Sequence, residues 1–162
     1  MKRIATIIVV ILIVIQFFKP ERNLSNDQTF HISTKYDFPE DVAAISKAAC
    51  DDCHSNSTQY PWYANVQPVA WWLNHHVSDG KKHLNFSEFT KRKIAVQNHK
   101  LEEIVEMMEE GEMPLKSYTW LGLHPEAKLS AEQKNRFISW AKSQMDTLKN
   151  RYPADSLVLK RK

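Results

Sequence analysis

The sequence predicts an all-α fold, and three observations carry the prediction. Only three glycines occur among 162 residues, too few for the many tight turns of a β domain. Methionine, glutamate, lysine and alanine, which helices prefer, fill the middle and end of the chain. No run alternates apolar and polar residues well enough to make a strand. The length suits one domain with short appendages rather than two domains.

The first element is apolar. Ile4 to Phe18 reads IATIIVVILIVIQFF behind Lys2 and Arg3. Fifteen helical residues reach only ~22 Å against a hydrocarbon core of ~30 Å, a length that also fits a signal peptide. No small-x-small cleavage pattern follows; the next residues are Lys19-Pro20-Glu21-Arg22. Residues 1–18 are therefore expected to be an uncleaved transmembrane or signal-anchor helix, with flanking basic side chains snorkelling to make up length. The alternative is a removed signal that leaves a soluble periplasmic protein. Either way the remainder is expected to be exported, to the periplasmic side of a bacterial cytoplasmic membrane.

Residues 19–34 are polar without an apolar period and read as a flexible tether. The domain is expected over 35–150, with 151–162 a loose basic tail. Its first helix, about 39–49, opens on Pro39-Glu40-Asp41 and runs into Cys50. After a loop over 55–67, Val69, Trp72, Leu73 and His76 mark a helix of about 68–78, ended by Asp79-Gly80. Ser87 is expected to cap a further helix, interrupted near Asn98-His99, beyond which Leu101, Ile104, Val105 and Met108 form a clear stripe. Gly111, Pro114, Gly122 and Pro125 make 111–128 irregular. The last helix, about 131–149, starts from the capping-box pattern Ser130 to Gln133 and buries Phe137, Ala141, Met145 and Leu148.

The net charge of +3 belongs to the ends of the chain. Eight of the 22 basic residues but only three of the 19 acidic ones lie outside 35–150, so the domain is near −2. It lacks the basic footprint of a nucleic-acid binder.

The chemistry concentrates at Cys50-Asp51-Asp52-Cys53-His54, which holds both cysteines of the chain. Two thiols three positions apart can each bond one vinyl group of a single haem, and the adjacent histidine can ligate its iron. One covalent haem c is therefore expected on Cys50 and Cys53, with His54 as proximal axial ligand. A disulfide leaves His54 unexplained; a thioredoxin-like pair needs a βαβ setting; a zinc site needs a second, closely spaced ligand pair. For the distal position Met113 is the first choice, in Gly111-Glu112-Met113-Pro114 after a helix stop, where Pro114 biases it towards an extended backbone. His76 is the rival ligand, and a vacant position is the third possibility. His75, His83, His99 and His124 read as surface or capping groups. Trp62, Trp71, Trp72, Tyr60 and Tyr63 are expected at the haem edge or in an ordinary aromatic core.

With these residues in view, the chain resembles the bacterial haem-binding domain proteins, small exported proteins with one Cys-x-x-Cys-His site. The likeness runs from about 20 to 150. It rests on Cys50 to Asn56, Tyr60-Pro61-Trp62-Tyr63, Lys82 to Phe86, Met113-Pro114 with Tyr118, His124-Pro125-x-Ala127-x-Leu129-Ser130, and Trp140. The resemblance implies haem bound at Cys50, Cys53 and His54. The order of helix, haem motif, Met-Pro loop and final helix is also similar to cytochromes c, which implies a cytochrome c-like helical domain around the haem. The leading expectation is a mono-haem electron carrier, not an enzyme, serving membrane or periplasmic redox proteins. A haem-based sensor or gas-binding domain, and a peroxidase-like enzyme using His76, are the alternatives.

Overall fold

The computed structural model describes residues 1–160. Among them there is no strand, and seven α-helices are joined by short 3-10 turns: α1 Lys2–Val14, α2 Glu40–Ala49, α3 Asp51–His54, α4 Val69–His83, α5 Ile94–Glu109, α6 Lys116–Thr119 and α7 Ala131–Arg151. The all-α expectation holds. The core is the seam between α5 and α7, closed by α2 against α7. Leu101, Ile104 and Met108 of α5 meet Phe137, Trp140, Ala141 and Leu148 of α7, with Val42 and Ile45 of α2. The indole of Trp140 donates to the Asp37 carbonyl at 2.6 Å, so a buried polar tip is satisfied. Ser130 and Gln133 form the reciprocal capping box at the start of α7.

Three element boundaries differ from expectation. α4 passes through Asp79-Gly80 to His83; Gly80 is kept for packing, as described below, which outweighs its poor helix propensity of ~1 kcal/mol. α5 is continuous through Asn98-His99, with His99 paired to Glu102 and Glu103 one turn on and Asn98 donating to the Leu157 carbonyl at 3.3 Å. Ser87 is not the cap. Asn85 accepts the Ser87 N–H and starts a 3-10 run Phe86–Lys91, while the buried Ser87 hydroxyl accepts the Asn56 N–H at 3.0 Å.

The tether expected over 19–34 is instead part of the folded body. Asn23 donates to the Ser55 carbonyl and the Thr58 hydroxyl, each at 2.9 Å, and its carbonyl accepts the Thr58 N–H. The Asn26 N–H binds the Asn56 carbonyl, and Ile32 is fully buried in the core. Such a strap is held by polar groups with no period, so hydrophobic patterning does not reveal it. The tail differs likewise: Leu157 is buried and Tyr152 packs on the core, whereas Arg161 and Lys162 lie outside the described residues. At the other end α1 has 13 residues, and among the described residues no helix is long and apolar enough to cross a membrane. The expected spanning anchor over 1–18 therefore has no support in helix length.

If the strap is structural, Asn23→Ala should lower the urea midpoint of the haem-loaded protein by the equivalent of about 1–3 kcal/mol, since it strands partly buried partners. An unchanged midpoint would mean that 19–34 is a tether after all.

Candidate functional site

Cys50 caps the four-residue helix α3, and its carbonyl accepts the N–H groups of Cys53 (3.1 Å) and His54 (2.9 Å). This single turn sets both thiols and the imidazole on one short arc. A helix of four residues cannot hold itself, and its neighbours hold it. α4 crosses so closely that a Cβ on Gly80 would lie 2.6 Å from the Cys53 carbonyl oxygen; any side chain there would force the helices apart. The approach brings the carbonyls of Gly80 and Leu84 to His54 Nδ1, each at 3.0 Å. Carbonyls only accept, so Nδ1 must carry the proton and Nε2 keeps its lone pair. Burial pushes the His54 pKa below its ordinary value, which keeps the ring neutral.

Cys50 and Cys53 are free thiols. Burial, followed by the nearby Asp51 and the other thiol, pushes Cys50 up to about 12; burial and then Asp52 push Cys53 up to about 11. Both are uncharged at neutral pH. They stand with His54 on the wall of a predominantly apolar cavity of about 570 Å³, whose other walls come from α4, α5 and the segment around Met113. That volume lies within the ~300–1,000 Å³ of small-molecule and cofactor sites. Two thiols, one imidazole with a free ring nitrogen, and an apolar cavity fit a haem. Among the described residues no group of three or more His, Cys, Asp or Glu is placed to hold a metal ion, so a zinc site at this motif lacks its further donors.

Against known proteins, the chain matches the haem-binding domain family model over residues 10–143, most of its length. The chain belongs to the haem-binding domain family. No curated protein and no solved structure matches it. It is thus a haem-binding protein.

The cavity brings together the five residues expected to attach or ligate a haem: Cys50, Cys53, His54, Met113 and His76 all line it. Gly111, in the left-handed region at φ +73°, turns the chain after α5, and the Met113 N–H returns to the Met107 carbonyl at 3.2 Å. Met113 packs against the main core. His76 lays its ring on Trp72, centroids 4.2 Å apart, and pairs Nδ1 with the Trp72 carbonyl. His75 and His83 also line the cavity, beyond the surface role expected of them. His124 is buried rather than superficial. The tryptophans depart from both expectations: Trp62, Trp71 and Trp72 line no part of this cavity and are exposed.

Sequence reasoning gives Tyr118 no role and takes His124 for a surface or capping group. Tyr118 donates its hydroxyl to Asp52, the residue between the thiols, at 2.6 Å. Its ring stacks on His124, 4.0 Å apart and 13° from parallel, and His124 Nε2 pairs with the Tyr63 hydroxyl at 2.7 Å. Burial, then the Asp52 hydrogen bond, raises the Tyr118 pKa strongly, so the phenol stays a donor. The other Asp52 oxygen accepts the Gln59 N–H at 2.8 Å. This chain of contacts ties the segment after Met113 to the cysteine turn. Gly80 was taken as a helix stop, yet a lone glycine within a helical pattern also signals close packing.

Tyr118→Phe keeps the stacked ring and removes the charge-assisted bond. It should cost about 1.5–3 kcal/mol in denaturant titration of the haem-loaded protein. Gly80→Ala should cost about 1–3 kcal/mol by overpacking and, if His54 ligates the haem iron, should also perturb the haem spectrum. A spectrum unmoved by Gly80→Ala would argue against the backbone grip on that ring.

Proposed function

We propose that the protein is a c-type haem protein in which a single haem is joined to Cys50 and Cys53, and that it carries single electrons at a membrane surface. The observation that carries this reading is the His54 ring, whose Nδ1–H is committed to two backbone carbonyls beside two free thiols on an apolar cavity wall. When bound, the haem supplies a one-electron iron couple. Each thiol adds across one vinyl group: its S–H bond breaks, a C–S bond forms, and the hydrogen passes to the neighbouring vinyl carbon. The addition is redox-neutral and needs no co-reactant. His54 would ligate the haem iron through Nε2, and the hydrogen bonds at Nδ1 orient the ring and raise its basicity.

Met113 would supply a second ligand to the iron in this proposal. Its core packing holds the thioether in place, and methionine ligation raises the potential into a range suited to electron transfer. His76 is the competing ligand, since it shares the cavity wall. In this reading residues 1–18 attach the protein to a membrane. Every residue from Ile4 to Val14 is exposed, and α1 is apolar around its whole circumference rather than along one stripe, which suits a lipid environment. The partners in this reading are membrane or periplasmic redox proteins, and the site faces the periplasm.

Protein matured with haem-ligation machinery should keep its pigment through acid–acetone extraction and show the mass of one added haem. Cys50→Ala/Cys53→Ala should lose both, and with them its cooperative thermal transition, because the haem forms much of the cavity's apolar filling. Met113→Ala should abolish the weak far-red methionine–iron band and lower the reduction potential, while His76→Ala leaves both in place. A high-spin ferric spectrum with rapid carbon monoxide binding on reduction would favour the sensor or peroxidase-like reading instead.

A further inference from the structure

We infer that the aromatic face around the end of α1 is a lipid-contact surface that holds the haem domain rigidly against the bilayer. The inference rests on the membrane placement of residues 1–18 proposed above and adds an orientation to it.

The joint is specific. Gln16 donates to the Gln67 carbonyl at 3.1 Å and accepts the Gln67 N–H at 2.9 Å. The Phe18 carbonyl accepts both the Gln67 side-chain amide and the Trp71 indole N–H, each at 2.8 Å. Gln67 is itself buried, so an interior amide is spent on fixing the exit of the apolar helix to the start of α4. Four hydrogen bonds leave little freedom for the domain to swing.

Around this joint the surface is apolar and uncovered. Phe17 is 82% exposed, Trp62 77% and Phe18 62%, with Val66, Val69 and Trp71 also exposed. Single exposed apolar residues are ordinary, but a group of them at the foot of an apolar helix is not. Tryptophan favours the boundary between hydrocarbon and headgroups. Lys19 and Arg22 follow Phe18 directly, with Glu21 the acid between them, and basic groups there suit anionic headgroups. Arg22 is anchored on the same face, 4.9 Å over the Tyr60 ring and bonded to Asn65 at 2.6 Å. The helix and its terminal turn reach about 25 Å, short of a ~30 Å hydrocarbon core, so no slack separates bilayer and domain. A second copy or a partner helix would match a stripe, whereas α1 is apolar all round. The later turns of α4 line the haem cavity, so the same helix relates the cavity to the membrane plane.

The test uses the full-length haem-loaded protein in vesicles of phosphatidylcholine and phosphatidylglycerol. Nitroxide labels are placed at Val66→Cys on the proposed face and at Lys149→Cys on α7. The Val66 label should be more accessible to oxygen than to a water-soluble nickel chelate, and the Lys149 label should show the reverse order. Trp71→Phe, which keeps an aromatic ring but removes the indole donor, should increase the mobility of the Val66 label without changing the haem spectrum. Vesicle-bound protein whose Val66 label behaves as in water would overturn the docking surface while leaving membrane attachment intact. Protein that does not sediment with vesicles would overturn both. Association in detergent-free solution that shields Val66 from both reagents would assign the face to a second copy instead.

Discussion

The site depends on one close approach, that of Gly80 to the Cys53 carbonyl. It allows α4 to cross the cysteine turn at backbone distance and deliver two carbonyls to His54 Nδ1. The His54 tautomer and the availability of Nε2 follow from it. Neither is supplied by α3 itself, and four residues make too little helix to be stable alone. The Cys50–His54 turn is a passenger on a scaffold that converges from distant parts of the sequence.

The polar strap performs a related task behind the motif. Ser55, Asn56 and Thr58 follow His54 directly and are buried, and buried polar backbone requires partners. Asn23, Asn26 and Ser87 provide them. The loop after the haem motif is thus fixed from behind by residues 23–26 and from the side by Ser87, while Asp52 is fixed from the front by Tyr118. A chain that reads as tether, loop and signature residues is physically one hydrogen-bonded frame.

How far the sequence could be read follows from the kind of force involved. The α5–α7 core was visible because Leu101, Ile104, Met108, Phe137 and Leu148 repeat at helical spacing and burial follows that period. The motif at Cys50 to His54 stood out because the haem chemistry proposed for it restricts residue type and spacing together. The frame was not, because Asn23, Asn56, Ser87 and Tyr118 act through pairings between 29 and 66 residues apart that leave no period. Gly80 and the exposed tryptophans were misplaced for a shared reason. A glycine that ends a helix and one that admits a neighbour look alike in one dimension, as do an aromatic that fills a core and one that faces outward.

The two sides of the cavity are built differently, and the difference bears on function. The His54 side is held by backbone carbonyls of α4 and its C-cap residue Leu84, so substitution of most side chains there leaves the ring in place. The Met113 side is held by a chain reversal at Gly111, a second left-handed glycine at Gly122, and side-chain contacts centred on Tyr118 and His124. Segments with few regular hydrogen bonds open most readily. Under the proposal above, electron carriage, ligand sensing and peroxidase-like chemistry would differ in what meets the iron opposite His54, not in how the haem is held. The parts of this chain that would distinguish among them are therefore 111–128, with Met113, and His76 of α4. The Tyr118–Asp52 bond is the contact through which the rigid side restrains the adaptable one.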